Sequence, residues 1–230
     1  MFSRARKRLT TGCEGCPGAA RSVLETMPVE RLVRHDVSFT RGARIALKTN
    51  GSDGFLCMKR GYVKLDYKYA KLARPVRICG PGDLVGYGNW HCDYRVVPVA
   101  LEAGCACFIE KASFLALQNA IPELNERILK LLCQIELQYQ QRVSVLQGRS
   151  VRGRVAGVLA SLERKFGERS TRGSRIPIRI DRQTLASLSG TVTETLSRVL
   201  TDFEDKAWIT RDGRFLHVLD KDALNALSHR

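Results

Sequence analysis

The chain has no run of about 18 apolar residues, the length a membrane-spanning helix needs. Its basic opening, Arg4 to Arg8, leads into Thr10, Thr11, Gly12 and Cys13, where a secretory signal would place an apolar core. A cytoplasmic protein is therefore expected. Paired carboxylates, a nucleophile beside a base and a glycine-rich phosphate loop are all missing, so no catalysis is expected. Acidic residues are scarce: 23 Asp and Glu face 38 Lys and Arg, a formal charge of +15, and the pI is near 9.8. Such a balance suits a polyanionic partner, because each phosphate neutralised by Lys or Arg releases condensed counterions. Charge alone does not separate nucleic acid from an acidic membrane surface.

What is present begins with length. A chain of 230 residues can bury two modest cores, and two domains joined by a structural element are expected. Eight cysteines in a reducing compartment are not expected to build a disulfide framework. Cys57, Cys79 and Cys133, taken singly, read as buried small hydrophobes. The close pairs, Cys13 with Cys16 and Cys105 with Cys107, call for separate treatment.

From about Pro28 to Phe114, short apolar runs alternate with Gly, Pro, Asn and Asp, as in Cys79-Gly-Pro-Gly-Asp-Leu-Val-Gly86. That pattern predicts a β-barrel or sandwich. From Ile121 to about Gln147 the pattern becomes a long helix opened by Pro122. Leu124, Ile128, Leu131, Ile135, Gln138, Arg142 and Val145 repeat at spacings of four and three, a coiled-coil seam. Leu132, Leu137 and Tyr139 add apolar surface outside it, enough to serve both the barrel and a second chain, so a parallel homodimer is expected. A further amphipathic helix spans Val151 to about Phe166 and presents Val155, Val158, Leu159, Leu162 and Phe166. Gly167 to Ser174 reads as a charged loop and Ile176 to Ile180 as a strand. Trp208 to Leu219 reads as a hairpin turning at Arg211-Asp-Gly-Arg214.

Between these elements lies the most informative stretch, Asp181 to Leu200, whose spacing is that of two short helices joined by a tight turn. Ala186 stands where the helices cross, Gly190 suits a turn that needs positive φ, and Leu196 and Val199 face inward one helical turn apart. An ordinary helical hairpin is the plain alternative. The second helix, however, exposes Thr193, Glu194, Ser197 and Arg198 toward one side, the composition of a base-reading face. With the hairpin, this makes a winged helix-turn-helix, with Arg211 and Arg214 at the wing tip near a phosphate path.

The order barrel, long helix, winged helix-turn-helix resembles the CRP/FNR superfamily of bacterial transcription regulators over nearly the whole chain. Lys59-Arg-Gly61-Tyr-Val-Lys and Pro81-Gly-Asp-Leu-Val-Gly86 are similar to its barrel motifs, and Gln183 to Leu200 to its recognition element. The resemblance implies an α+β fold: an N-terminal double-stranded β-helix (cupin-like) barrel, a long dimerisation helix and a C-terminal winged helix-turn-helix. The implied divisions are a cysteine-containing segment 1–22, a cyclic-nucleotide-binding-like sensor barrel 23–117, a dimerisation helix 118–149 and a DNA-binding domain 150–230. Double-stranded DNA, a second copy of the chain and RNA polymerase are the implied partners.

Val192-Thr-Glu194-Thr-Leu-Ser197-Arg198 looks more like the FNR reader than that of the cyclic-AMP receptor, which places an arginine where Thr193 stands. Arg198 can donate two parallel bonds to guanine O6 and N7, Glu194 can accept from a cytosine amine, and Ser197 can approach a thymine. An FNR-like, TTGAT-type half-site in a palindrome is implied. Thr191, Thr193, Arg182, Arg211 and Arg214 complete the expected DNA contacts.

A cyclic nucleotide is not expected. Arg95 is followed by Val96, Val97 and Pro98 where cyclic-nucleotide members follow an arginine with a serine or threonine, and Tyr87 takes the approximate place of their ribose-binding glutamate. Ala100 to Ile109 is similar to the FNR segment that holds its barrel cysteine ligand, with Cys107 in the matching place, and Cys13-Glu-Gly-Cys16 resembles part of the FNR cysteine cluster. The third N-terminal cysteine of that cluster has no counterpart, since Ala19, Ala20, Arg21 and Ser22 fill the stretch. Cys105, two residues from Cys107 on one strand face, is the expected replacement, with Cys92 as a substitute. Four thiolates, Cys13, Cys16, Cys105 and Cys107, are the number that a [4Fe-4S] cluster or a tetrahedral zinc requires. The alternatives are that Cys105 and Cys107 are barrel core, that His91-Cys92 ligates haem, or that the regulator works without a cofactor or through a small ligand.

Overall fold

A computed structural model of the chain describes residues 24, 28–49, 51–69, 72–90, 96–148 and 150–228. The chain divides into two compact units, residues 1–135 and 136–230. Cys13, Cys16, His91, Cys92 and Arg95 lie outside the described residues.

In the first unit, β1 (Arg34–Phe39), β2 (Lys48–Thr49), β3 (Ser52–Arg60), β6 (Leu84–Val85) and β8 (Gly104–Glu110) form one sheet. Its order is β1-β8-β3-β2, with β6 also on β3. A second sheet has the order β5-β4-β7, from β4 (Val63–Tyr69), β5 (Leu72–Cys79) and β7 (Val96–Ala100). Strict alternation along β7, buried at Val96, Pro98 and Ala100, is what period-two geometry demands of a strand with one face in a core. Leu56, Met58, Ala106 and Phe108 of the first sheet meet Val63, Leu65, Cys79 and Val96 of the second in a single apolar cluster. These curled sheets are the barrel expected from the sequence.

The outer face of the first sheet is not left to water. Phe55, Cys57, Cys107 and Ile109 alternate with the inner residues and pack under α1 (Lys111–Ala120) and the first turns of α2 (Pro122–Gly148), through Phe114, Leu117, Leu124 and Ile128. Phe114 is fully buried and sits 4.9 Å from Phe55, ring edge to ring face. Truncating such a ring to alanine costs about 3–5 kcal/mol.

Here the seam expected along α2 is corrected. Leu124 and Ile128 are buried in their own barrel and Leu131 packs against the same cluster, so the start of that stripe faces inward. A different set is exposed: Leu129 at 60%, Leu132 at 42%, Leu137 at 54% and Val143 at 52%. Both stripes have helical spacing, and sequence alone does not say which of them the barrel takes. Cys133, expected to be buried, is exposed, because it lies beside Leu129 and Leu132 on the outward side.

In the second unit, α3 (Val151–Phe166) is capped by Ser150, whose side chain accepts from Gly153 N at 3.2 Å. Val155, Leu159, Leu162 and Phe166 are buried, as the helical period requires. Next come β9 (Glu168–Ser170), β10 (Gly173–Ile176), α4 (Arg182–Leu188), α5 (Thr193–Asp205), β11 (Ile209–Asp212), β12 (Phe215–Val218) and α6 (Lys221–Ser228), with sheet order β11-β12-β10-β9. Two expectations change. The stretch 167–174, read as a loop, holds β9 and the start of β10, paired from Gly173 with Ser170. The strand read at 176–180 ends at Ile176, since Pro177 has no N–H to continue the ladder. An edge strand as exposed and charged as β9 carries no apolar alternation to find.

Candidate nucleic-acid interface and barrel thiols

The candidate interface is built on α4, the turn 189–192 and α5. Asp181 caps α4, its carboxylate accepting from Thr184 N at 2.7 Å and from Thr184 Oγ1 at 2.9 Å. Ala186 is buried, and Gly190 turns the chain with φ of 61°, a region open to glycine at little cost. Thr191 N then donates back to Ala186 O at 3.0 Å, closing the turn. Leu196 and Val199 face inward with Leu200 and Phe203. All four positions stand as the sequence spacing requires.

A residue outside the helix-turn-helix stretch holds this turn. Arg154 of α3 donates from Nε to Ser189 O and from Nη2 to Gly190 O, both at 3.0 Å. Carbonyls left open at a helix end thus gain charge-assisted partners from another element.

With its apolar side buried, α5 turns Glu194 and Arg198 fully outward, with Thr193 and Ser197 half-exposed beside them. Thr193 Oγ1 donates to Glu194 Oε1 at 3.1 Å, Ser197 Oγ donates to Thr193 O at 2.8 Å, and Arg182 Nη1 donates to Ser197 Oγ at 2.7 Å. Thr191, half-exposed in the turn, and Arg182, exposed at the start of α4, flank this group. The base-reading set named from sequence is thus brought onto one face and partly pre-ordered. Val192, 60% exposed at the N-cap of α5 without a side-chain cap bond, adjoins that face and was not named.

On the wing, Asp212 pairs with Phe215, so the two-residue loop is Gly213–Arg214, with φ of 58° at Gly213. Glycine at the first loop position and an ordinary φ at the second match a type II′ hairpin turn. Arg214 is therefore at the tip. Arg211 is not: it lies within β11 opposite Leu216, and its guanidinium bonds both carboxylate oxygens of Glu204 on α5. Those bonds hold its proton above even the usual arginine range. Beside the tip, Arg175 lies 3.9 Å and Arg179 5.7 Å from the centre of the Phe215 ring. Neither arginine was singled out, because the contact joins β10 and the segment after it to a strand some forty residues on.

The barrel thiols are placed by β8. Cys105 is half-exposed and Cys107 is buried at 4%; two apart on β8 they share its outer face, and Cys107 lies in the layer that α1 and α2 cover. Thiolates are the right donors for an iron–sulfur or zinc site. Among the described residues, however, no three His, Cys, Asp or Glu gather closely enough to hold a metal ion. The residue opposite Cys107 on the next strand is Cys57. Tyr87 is core: its ring packs edge-on against Phe55 and Phe114 at 5.7 Å, and its hydroxyl accepts from Gln118 Nε2 at 3.3 Å.

Residues 153–227 match the family of Crp-like helix-turn-helix domains. The transcriptional activator protein Anr of Pseudomonas aeruginosa is 28% identical over 149 residues, 64% of this chain and 61% of that protein. The fumarate and nitrate reduction regulatory protein of Escherichia coli K12 is 25% identical over 150 residues, 64% of this chain and 59% of that protein. The chain thus spans about three fifths of the length of these relatives. Among solved structures, FixK2 from Bradyrhizobium japonicum is similar with a TM-score of 0.73 at 16% identity, over 85% of this chain and 98% of that one. A CRP/FNR family transcriptional regulator from Thermus thermophilus is similar with a TM-score of 0.66 at 21% identity, over 85% and 99%. The fold is shared with these solved regulators, and residues 153–227 are similar to Crp-like helix-turn-helix domains. These relatives carry the names of regulators, not of enzymes.

Proposed function

We propose that the chain is a sequence-specific DNA-binding transcription regulator of the CRP/FNR type. In this reading residues 23–117 sense a signal, 118–149 join two copies in a homodimer, and 150–230 bind DNA, with RNA polymerase as a further partner. The observation that carries it is the face of α5, where Thr193, Glu194, Ser197 and Arg198 stand outward over a buried apolar side. A guanine takes the Arg198 fork, a cytosine amine donates to Glu194, and a TTGAT-type inverted repeat with half-sites about one helical turn apart suits a twofold dimer. Fluorescence anisotropy against duplexes carrying that repeat, and against scrambled duplexes of equal length, tests it. Preference for the repeat by at least about 10³-fold supports the reading. Equal affinity for both duplexes overturns the sequence assignment.

For the signal, the donors at hand are thiolates. Cys107, with Cys105 on the same strand face and the N-terminal pair Cys13 and Cys16, supplies four, and a [4Fe-4S] cluster held by them would make the protein responsive to oxygen, redox state or nitric oxide. Iron and acid-labile sulfide measured on anaerobically purified protein test this: about four of each per chain, lost on Cys107→Ser, support it. The pairing of Cys107 with Cys57 across β8 and β3 favours a second reading without a cofactor, in which the barrel's thiols themselves take the signal.

A further inference from the structure

Cys57 of β3 and Cys107 of β8 are direct partners in an antiparallel ladder. The type of pair follows from the bonds around them. Met58 N donates to Asp83 O and Gly82 N donates to Met58 O, so the polar groups of Met58 point away from β8. Backbone groups alternate sides along a strand, so those of Cys57 point toward β8. On β8, Glu110 N donates to Val33 O, away from β3, which turns the groups of Cys107 toward β3. Cys57 and Cys107 therefore exchange both backbone bonds, a pair type with Cα atoms about 5.5 Å apart. Disulfides span Cα separations of about 4.4–6.8 Å.

Their side chains share one face, in the apolar layer with Phe55 and Ile109, exposed by only 7% and 4%. No other described cysteine has a cysteine opposite: Cys105 faces Ser38 and Arg60, and Cys79 faces Val63. Lys59 of β3 reaches Asp36 of β1 at 2.7 Å, and β8 lies between those strands. Asp36 is itself the partner of Cys107 on β1, so the ammonium is carried across the cysteine face. Lys59 and Asp36 neutralise each other there, so it is the strand register that brings the two thiols together.

We infer that Cys57 and Cys107 form a cross-strand dithiol that hydrogen peroxide closes to a disulfide, fastening β3 to β8 beneath α1 and α2. One thiolate attacks a peroxide oxygen; the O–O bond breaks, the sulfur becomes a sulfenic acid and hydroxide leaves. The second thiolate attacks that sulfur; the S–S bond forms, the S–O bond breaks and a second hydroxide leaves. The two thiol protons convert the hydroxides to water, and the peroxide takes up the two electrons that the sulfurs lose. The product is uncharged and remains compatible with its apolar layer. Closure draws the two Cβ atoms from about 5 Å to about 4 Å, in the layer where Phe114, Leu117, Leu124 and Ile128 seat both helices. The inference deepens the thiol reading of the signal and rests on it for its biological meaning, whereas the chemistry is measured without DNA.

The test treats the reduced full-length chain with hydrogen peroxide, alkylates it in denaturant and maps its peptides without reduction. Expected is a peptide joining Cys57 to Cys107, its mass two hydrogens short of the sum of the two reduced peptides. The link is cleaved by dithiothreitol, persists when Cys13 and Cys16 are both changed to Ser, and is absent from Cys57→Ala. Alkylation of both Cys57 and Cys107 after doses that consume the exposed Cys133 thiol overturns the inference, as does linkage of Cys107 to another cysteine. Anisotropy on the same samples separates the two readings. The Cys57–Cys107 link without specific DNA binding in either redox state supports the dithiol and removes the regulator. Specific binding without the link removes the dithiol alone.

Discussion

Single side chains decide whether the interface reads sequence or only charge. Replacing Arg198 by alanine is expected to cost roughly 1–3 kcal/mol on the specific duplex and to relax discrimination at one base pair, leaving affinity for random DNA nearly unchanged; anisotropy with single-substitution duplexes checks this. After α5 the chain turns at Ala207 with φ of 53°, the single non-glycine residue at positive φ among those described. Ala207 N donates to Glu204 O and Trp208 N to Phe203 O, a helix-ending arrangement that favours glycine. Ala207→Gly should therefore stabilise the protein by roughly 0.5–1 kcal/mol, read from urea unfolding, because relief of the left-handed strain exceeds the entropy glycine adds to the unfolded chain. Ala186, Gly190 and Leu196 were legible in the sequence because each answers a steric demand set by neighbours a few residues away. Arg154, Arg175 and the Lys59–Asp36 pair were not, since each acts on a partner more than twenty residues distant.

Elements were legible where their periods are strong and their faces differ. The barrel was legible as a region of short strands, and α2 and α3 with near-correct limits, whereas β9 has no apolar face to reveal it and β10 is cut short by Pro177. On α2 the period was plain but its phase was not, because the helix carries one stripe for its barrel and another outward. The outward stripe bears on the proposed homodimer: Leu132→Glu with Leu137→Glu should convert that dimer to a monomer in sedimentation while leaving the barrel folded, as neither residue is buried. In the second unit Glu163 joins three elements, accepting from Lys221 Nζ at 2.5 Å and from Ser174 Oγ at 2.6 Å. Burial pushes its carboxyl up, but the bonds from Lys221 and Ser174 outweigh it and hold the carboxyl below its ordinary range. A carboxyl lowered on folding stabilises above its unfolded value, and that contribution is lost as pH falls through the folded one. Glu163→Gln should thus unfold at lower urea at neutral pH and lose less stability than wild type between neutral and acid pH.

At the scale of the whole molecule, the +15 charge makes association strongly salt-dependent. The logarithm of affinity should fall linearly with the logarithm of salt, by about 0.9 for each phosphate neutralised, and Arg214→Ala at the wing tip should reduce that slope by about 1 on specific and random DNA alike. The overall architecture was legible because each architectural layer leaves a periodic trace. The barrel thiols were only half legible: their spacing puts Cys105 and Cys107 on one face of β8, but only the strand register sets Cys57 opposite Cys107. The grip of Arg154 on the carbonyls of Ser189 and Gly190 bears on kinetics. A turn already fastened to α3 has little left to order when it meets a duplex, so encounter should proceed in one step at a rate set by diffusion and ionic strength, with no slow rearrangement after contact.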